Sequence, residues 1–497
     1  KILMSDNPQE IKALANEKFK QGEFTVAIAL YSRAIDILAA ENKEDAIFFN
    51  NRANAHFQLG DFYEARKDAE KSISVDPTYF KAYWRMAEIC RCTMKHEEAL
   101  EFYQKAHKVT GNSTQVVSQI RELTVMINAK KSTSVNSKKF FEALRGIPSR
   151  DLTSGPQIFP FGPSGNVPST VNETSRNFNI PDNIQNKTIA DKLTLAKEFL
   201  NYTSDEKVLH SKQLDKLMGQ FGEILSTIRP LYQIQSNESF YIIGDIHGSL
   251  IDLKLIFRKI NLDQFFNNNE QIIVLGDYVD RGQFGHHIIS FFAMLKCCLP
   301  NKVHLLRGNH ETPQLNGFFG YRPQLDSLYG SSSNVVGIMN MVFQELPLLL
   351  NVKSEKKSFL MFHGGCPVVG DFKSVDQLLG ADISKQLEPS DALSQQLLWS
   401  DPQHEQRESD LVSSHRGVGY LYSAKKFLDF ADKLKIDRVF RGHEVVFDKT
   451  GIRDDFDNGR HFTVFSSGNY MSQGNVGGMI KLDAATGKIE KITLSVI

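Results

Sequence analysis

The sequence predicts a multidomain chain: an all-α solenoid of paired helices, then an α/β domain of sheets with helices outside. Three observations predict it. Small and aromatic residues recur with a period near 34 over roughly the first 110 positions. A stretch rich in Ser, Asn, Gly and Pro follows. Beyond residue 240, six short apolar runs each end in a polar cluster. The 497 residues are enough for about three domains at about 150 residues each.

Bulk charge narrows the function classes. Lys+Arg and Asp+Glu both number 58, which argues against a nucleic-acid or membrane-surface binder. No apolar run approaches the ~18 residues of a membrane span. The five cysteines are Cys90, Cys92, Cys297, Cys298 and Cys366. An odd number with one adjacent pair suits free thiols in a reducing compartment. The opening KILMSDNPQE lacks the apolar core of a secretory signal. The cytoplasm is the expected location, with the nucleus as a further one.

Residues 8–111 read as helical repeats. The first unit carries Gly22, Phe24, Ala27, Tyr31 and Ala34. The second carries Gly60, Phe62, Ala65, Ala69, Ser72 and Pro77, and the third Ala99, Tyr103 and Ala106. Ala65 and Ala99 stand 34 apart, Ala27 and Ala65 38 apart. Small residues at this period let paired helices approach closely, and aromatics fill the grooves. The pattern resembles three tetratricopeptide repeats. An amphipathic stretch within 112–130 is expected to cap the solenoid, 131–185 to act as a linker, and 186–497 to form the second domain.

Within that domain the runs FYIIGDIHG, IIVLGDYVDRG, VHLLRGNHE, FLMFHGG, RVFRGHE and TVFSSGNY read as strands with ligand-bearing carboxyl ends. A lone histidine at a strand end is ordinarily structural. Here Asp245 and His247, Asp277, Asn309 and His310, His363, and His443 end five successive runs. A metal site explains the series, because each ligand needs a rigid support. The donor set holds oxygen and nitrogen but no thiolate, which suits manganese, iron or zinc over copper or a structural zinc. Six donors exceed one tetrahedral ion. They suit two divalent ions about 3.5–4 Å apart that activate a water and clamp phosphoryl oxygens, with Asp277 as the natural bridge. Gly276 lets the strand turn ahead of Asp277.

GDIHG, GDYVDRG and RGNHE resemble signature motifs of the metal-dependent serine/threonine phosphoprotein phosphatases, over about residues 190–497. The resemblance implies an α/β metallophosphoesterase fold, a central β-sandwich flanked by helices, and hydrolysis of phosphoserine and phosphothreonine in proteins. It implies Asp245, His247 and Asp277 as ligands of one ion, and Asp277, Asn309, His363 and His443 of the other. It implies His310 as the general acid, held charged by Asp280, and Arg281, Asn309, Arg416 and Tyr470 as phosphate contacts. The chain departs from the family at SSGNYM, where Met471 replaces a cysteine, at HGGCPV, and at 316–330. These departures are expected at the rim, where they bear on substrate and inhibitor preference.

The repeats carry Lys12 and Asn16, Asn51, and Lys81 and Arg85. All five resemble the two-carboxylate clamp that tetratricopeptide domains close on heat-shock chaperone tails ending in EEVD. Gln58 stands where that resemblance leads one to expect a supporting Arg. Relatives of this type hold the repeat domain over the active site until a ligand lifts it, which is an expectation here. Two other readings stay open: a metallophosphoesterase acting on nucleotides or dinucleotide polyphosphates, and an inactive chaperone adaptor.

Overall fold

The computed structural model describes residues 6–93, 95–110, 178–404 and 409–495, together with 116, 117, 119, 120, 123 and 124. The chain forms two compact units.

The first unit is built from helix pairs: α1 (Pro8–Lys20) with α2 (Phe24–Ala40), α3 (Ala46–Leu59) with α4 (Phe62–Val75), and α5 (Phe80–Cys92) with α6 (His96–Thr110). Local chemistry sets their ends. Asn7, Asp45 and Asp61 each accept a first-turn N–H, and Gly60 closes α3 at φ 82°. Ala15, Ala27, Ala34, Ala55, Ala65, Ala69, Ala87, Ala99 and Ala106 are fully buried, as close helix crossings require. An edge-to-face aromatic pair seals the turn in each of the first two repeats: Phe19 on Phe24 at 5.1 Å, and Phe57 on Phe62 at 5.5 Å. Most of the expected capping helix lies outside the described residues. Its described positions are helical and bury Val116 and Leu123 beside Tyr103.

The second unit is a sandwich of two large sheets with a small third one. Its strands in chain order are β1 (Leu231–Gln235), β2 (Ser239–Ile243), β3 (Gln271–Val274), β4 (Val303–Leu305), β5 (Leu349–Lys353), β6 (Ser358–Phe362), β7 (Asp401–Pro402), β8 (Leu411–Ser413), β9 (Tyr420–Tyr422), β10 (Arg438–Arg441), β11 (Ile452–Asp454), β12 (His461–Val464), β13 (Gly477–Asp483) and β14 (Ile489–Leu494). One large sheet has the order β1-β5-β6-β10-β12-β11, the other β14-β13-β2-β3-β4, and the small one β7-β9-β8. Strand alternation divides the core. Phe240, Ile242, Ile273, Met361, Phe440, Val464 and Ile480 fill the space between the two large sheets. Tyr241, Ile243, Ile272, Val274 and Val303 face the other way, onto helices Ile189–Ser204, Ser211–Ser226, Leu250–Lys259 and Gly285–Cys298.

Direction matters most for the site. β2, β3 and β4 run parallel, as do β6, β10 and β12. A parallel bridge from Asp245 to Phe465 joins the two sheets where β2 and β12 end. Six carboxyl ends therefore share one edge of the sandwich.

The expected linker, 131–185, lies outside the described residues as far as 177. Its end is not a linker. Ile180 and Ile184 are fully buried in the helical side of the core. Their N–H groups donate to Gln213 Oε1 at 2.6 Å and Gln220 Oε1 at 2.8 Å. Polar Asn-rich spacing masked two isolated apolar anchors. All five cysteines are free and buried. No helix among the described residues is long and apolar enough to cross a membrane.

Candidate metal centre

The structure brings Asp245, His247, Asp277, Asn309, His363 and His443 together. Asp277 Oδ2 lies 3.4 Å from both His247 Nε2 and His363 Nε2. Asn309 Oδ1 lies 2.8 Å from His363 Nε2 and 3.1 Å from His443 Nδ1. Asp245 closes the group, 4.0 Å from His247 Nε2 and 3.9 Å from His363 Nδ1.

Four of these residues follow a glycine: Gly244–Asp245, Gly276–Asp277, Gly308–Asn309 and Gly442–His443. A side chain on any of the four would overlap its neighbour. A Cβ on Gly308 would strike Asp277 Oδ1, one on Gly442 would strike Asp245 Oδ1, and one on Gly276 would strike the Gly308 backbone. Gly308 and Gly442 thus leave space for a ligand carboxylate, and Gly244 and Gly276 for neighbouring backbone. Backbone strain gathers here as well. His247, Asp277, Asp280, Arg281 and His443 all hold positive φ, between 47° and 74°.

Imidazole orientation is fixed from behind. Nδ1 of His247 meets the Val279 carbonyl at 3.0 Å, and Nδ1 of His363 meets the Leu275 carbonyl at 3.0 Å. Each ring therefore turns Nε2 towards Asp277, as metal-binding histidines do. Burial pushes His247 well below the ordinary histidine range and lowers His363, which keeps both lone pairs available. Burial, with the neighbouring Asp277 carboxylate, lifts Asp245 to about 7. Buried carboxylates and neutral imidazoles, converging without a thiolate, fit divalent cations: the cations supply the positive charge that burial withholds.

Beside this cluster stands the His310–Asp280 pair, Nδ1 to Oδ2 at 2.8 Å. Asp280 also accepts N–H groups from Tyr321 at 2.9 Å and Asn316 at 3.1 Å, while burial lifts its carboxyl to about 7. The Arg281 guanidinium stacks 3.8 Å from the Phe319 ring centre. Tyr470, half-buried, packs its ring 5.0 Å from His247, and burial raises its phenol to about 12. Arg416 stands on a separate loop after β8, its N–H on Ser414 Oγ at 3.1 Å.

Two of the departures are not at the rim. Asn316 and Phe319, from the 316–330 segment, hold Asp280 and Arg281 directly. Cys366 is fully buried, with its N–H on Tyr422 Oη at 3.2 Å.

Sequence reasoning missed Glu311, the last letter of RGNHE. Its fully buried carboxylate accepts N–H groups from Asp277 and Tyr278 at 2.9 Å each and from Gly308 at 2.8 Å. Its only signal was an acid beside His310 with no ligand role left to fill.

In the helical unit, Tyr31 Oη donates to Asn16 Oδ1 at 2.6 Å and Asn51 Nδ2 reaches the same oxygen at 3.4 Å. Lys12 Nζ lies 4.9 Å from the Phe48 ring centre and the Arg85 guanidinium 4.6 Å from that of Phe57. Lys81 is exposed, one turn before Arg85 on α5.

Comparison with known proteins agrees with this geometry. The calcineurin-like phosphoesterase family model matches residues 239–447, and the tetratricopeptide repeat model matches 46–79. Serine/threonine-protein phosphatase 5 of Rattus norvegicus is 28% identical over 484 residues, covering 96% of this chain and 88% of the relative. The serine/threonine-protein phosphatase 4 catalytic subunit of Saccharomyces cerevisiae is 34% identical over 244 residues, 49% of this chain and 73% of the relative. A solved protein serine/threonine phosphatase from Saccharomyces cerevisiae shares the fold with a TM-score of 0.52 at 24% identity, covering 61% of this chain and 96% of that one.

Glu311→Ala removes the shared acceptor for three site amides. Divalent-cation affinity, measured by isothermal titration, should fall about 10–100-fold. Unchanged affinity would show that Glu311 does not support the ligand backbone.

Proposed function

The chain belongs to the serine/threonine phosphoprotein phosphatase family, and we propose that it hydrolyses phosphoserine and phosphothreonine in proteins at a two-cation centre, manganese first among the candidates. The observation that carries the reading is Asp277, one carboxylate equidistant from two imidazoles, with His310–Asp280 beside it. Asp245, His247 and Asp277 would hold one cation, and Asp277, Asn309, His363 and His443 the other. Such a pair supplies Lewis acidity towards a water and the phosphoryl oxygens in an in-line displacement.

The chain's own groups do the rest. His310 protonates the departing Ser or Thr oxygen through Nε2, because Asp280 occupies Nδ1 and stabilises the imidazolium. Asn316 and the Tyr321 amide hold Asp280 in turn. Arg281 and Arg416 offer guanidinium forks to the phosphate oxygens, with Asn309 and Tyr470 as further contacts. Stacking on Phe319 limits the freedom of Arg281 before substrate arrives. Against a phosphoserine peptide, His310→Ala should turn over about 10²–10⁴-fold more slowly with bound metal unchanged. Equal rates would remove His310 from the acid role. Faster turnover of dinucleotide polyphosphates than of the peptide would move the chain to another substrate class.

The repeat unit would bind acidic chaperone tails ending in EEVD through Lys12, Asn16, Asn51, Lys81 and Arg85. Support comes from the fixed stems: Lys12 and Arg85 are braced by rings, and the Asn16 carboxamide is held through its oxygen by Tyr31 and Asn51. In fluorescence polarisation with an EEVD-ending peptide, Lys12→Ala and Arg85→Ala should each weaken binding about tenfold or more. Binding that survives both substitutions would exclude the clamp.

A further inference from the structure

The loop 467–475 carries Tyr470 and is strained. Asn469, Met471 and Ser472 all hold positive φ, at 47°, 49° and 61°. None is a glycine, so neighbouring contacts must over-determine the conformation. Part of the constraint is internal. Asn475, buried, accepts the Tyr470 N–H at 2.8 Å and donates to the Ser467 carbonyl at 2.8 Å. The Tyr470 ring also packs on Phe465 at 5.2 Å and on His247 at 5.0 Å, and a further tie comes from a residue 216 positions away from Gly468.

That residue is Asp252. It lies three residues after Ser249, which caps helix Leu250–Lys259. Serine followed three residues later by an acid normally forms a reciprocal box, the acid returning to the cap's own N–H. Here the Ser249 N–H goes to the Ile246 carbonyl instead, at 3.0 Å. The Asp252 carboxylate accepts the Ser249 hydroxyl and reaches across to the Gly468 N–H at 2.9 Å. Gly468 leaves the necessary room, since a Cβ there would sit 3.2 Å from Asp252 Oδ1. Asp252 is 3% exposed, so this is an interior charge aimed at one loop amide. The helix that Ser249 caps begins directly after the Asp245–His247 loop.

We propose that Asp252 is a positioning residue for dephosphorylation: it ties the Tyr470 loop to the His247 loop and thereby holds the tyrosine ring over the metal centre. The inference rests on the reading above, in which Tyr470 meets the substrate phosphate.

Two readouts on the full chain test it. Hydrogen exchange of Asp252→Ala should show amides of 467–475 exchanging about tenfold faster, with the sandwich strands unchanged. In a double-mutant cycle on a phosphoserine peptide, Asp252→Ala should lower kcat/KM about tenfold yet add nothing to the loss caused by Tyr470→Phe. A merely structural acid would give additive losses, and that result overturns the proposal, as does unchanged exchange in 467–475. Should Asp252→Ala not fold, Asp252→Asn, which keeps the shape and loses the charge, takes both readouts. Wild-type protein without peptide turnover counts against the phosphatase reading, and the exchange result then decides the role of Asp252 alone.

Discussion

One carboxylate shared by two imidazoles sets the terms for the rest of the second unit. Asp277 can face His247 and His363 at equal distance only if strands from two different sheets end at the same height. The parallel runs β2-β3-β4 and β6-β10-β12 meet that condition, and the Asp245–Phe465 bridge joins them there. Crowding then dictates the glycines before four of the ligands: a ligand carboxylate fills the Cβ position of Gly308 and of Gly442, and neighbouring backbone fills that of Gly244 and of Gly276. Strain in His247, Asp277 and His443 is the conformational cost of aiming all the side chains into one volume.

A polar shell holds that strain in place. Glu311 fixes the Asp277 turn from beneath, and Arg307 in turn donates to the Glu311 carbonyl at 2.9 and 3.1 Å. On the opposite sheet, Arg441 pairs with Asp401 at 2.7 Å and with Glu444 at 2.6 Å, bracing the turn that bears His443. A buried chain runs on from there: Asp455 to His461 at 2.6 Å, then His461 to Tyr422 at 2.9 Å, whose hydroxyl receives the Cys366 amide. Buried networks of this kind add little net stability, but they select one geometry, which a metal centre needs.

What the sequence disclosed follows from the same physics. The six motif-bearing strands were legible because core packing alone rarely places a donor side chain at the end of one apolar run after another. The repeats were legible because Ala27, Ala65 and Ala99 recur in register. β1, β5, β13 and β14 bear no donor at their ends, and their short mixed runs carried no comparable signal. Glu311, Asn316 and Asp252 act on groups brought close by the fold, at separations of up to 216 residues, so an acid beside His310 or three residues after Ser249 does not disclose its distant partner. Ile180 and Ile184 were hidden for the opposite reason. Two apolar side chains in a polar stretch read as linker until the core that buries them is built.

A metal titration of chelator-stripped protein, following bound manganese and phosphoserine-peptide turnover together, tests the shared two-cation centre most directly. Two equivalents should bind, with turnover returning only as the second site fills. Full turnover by the stripped protein, or none with both equivalents bound, would contradict a centre built on Asp277.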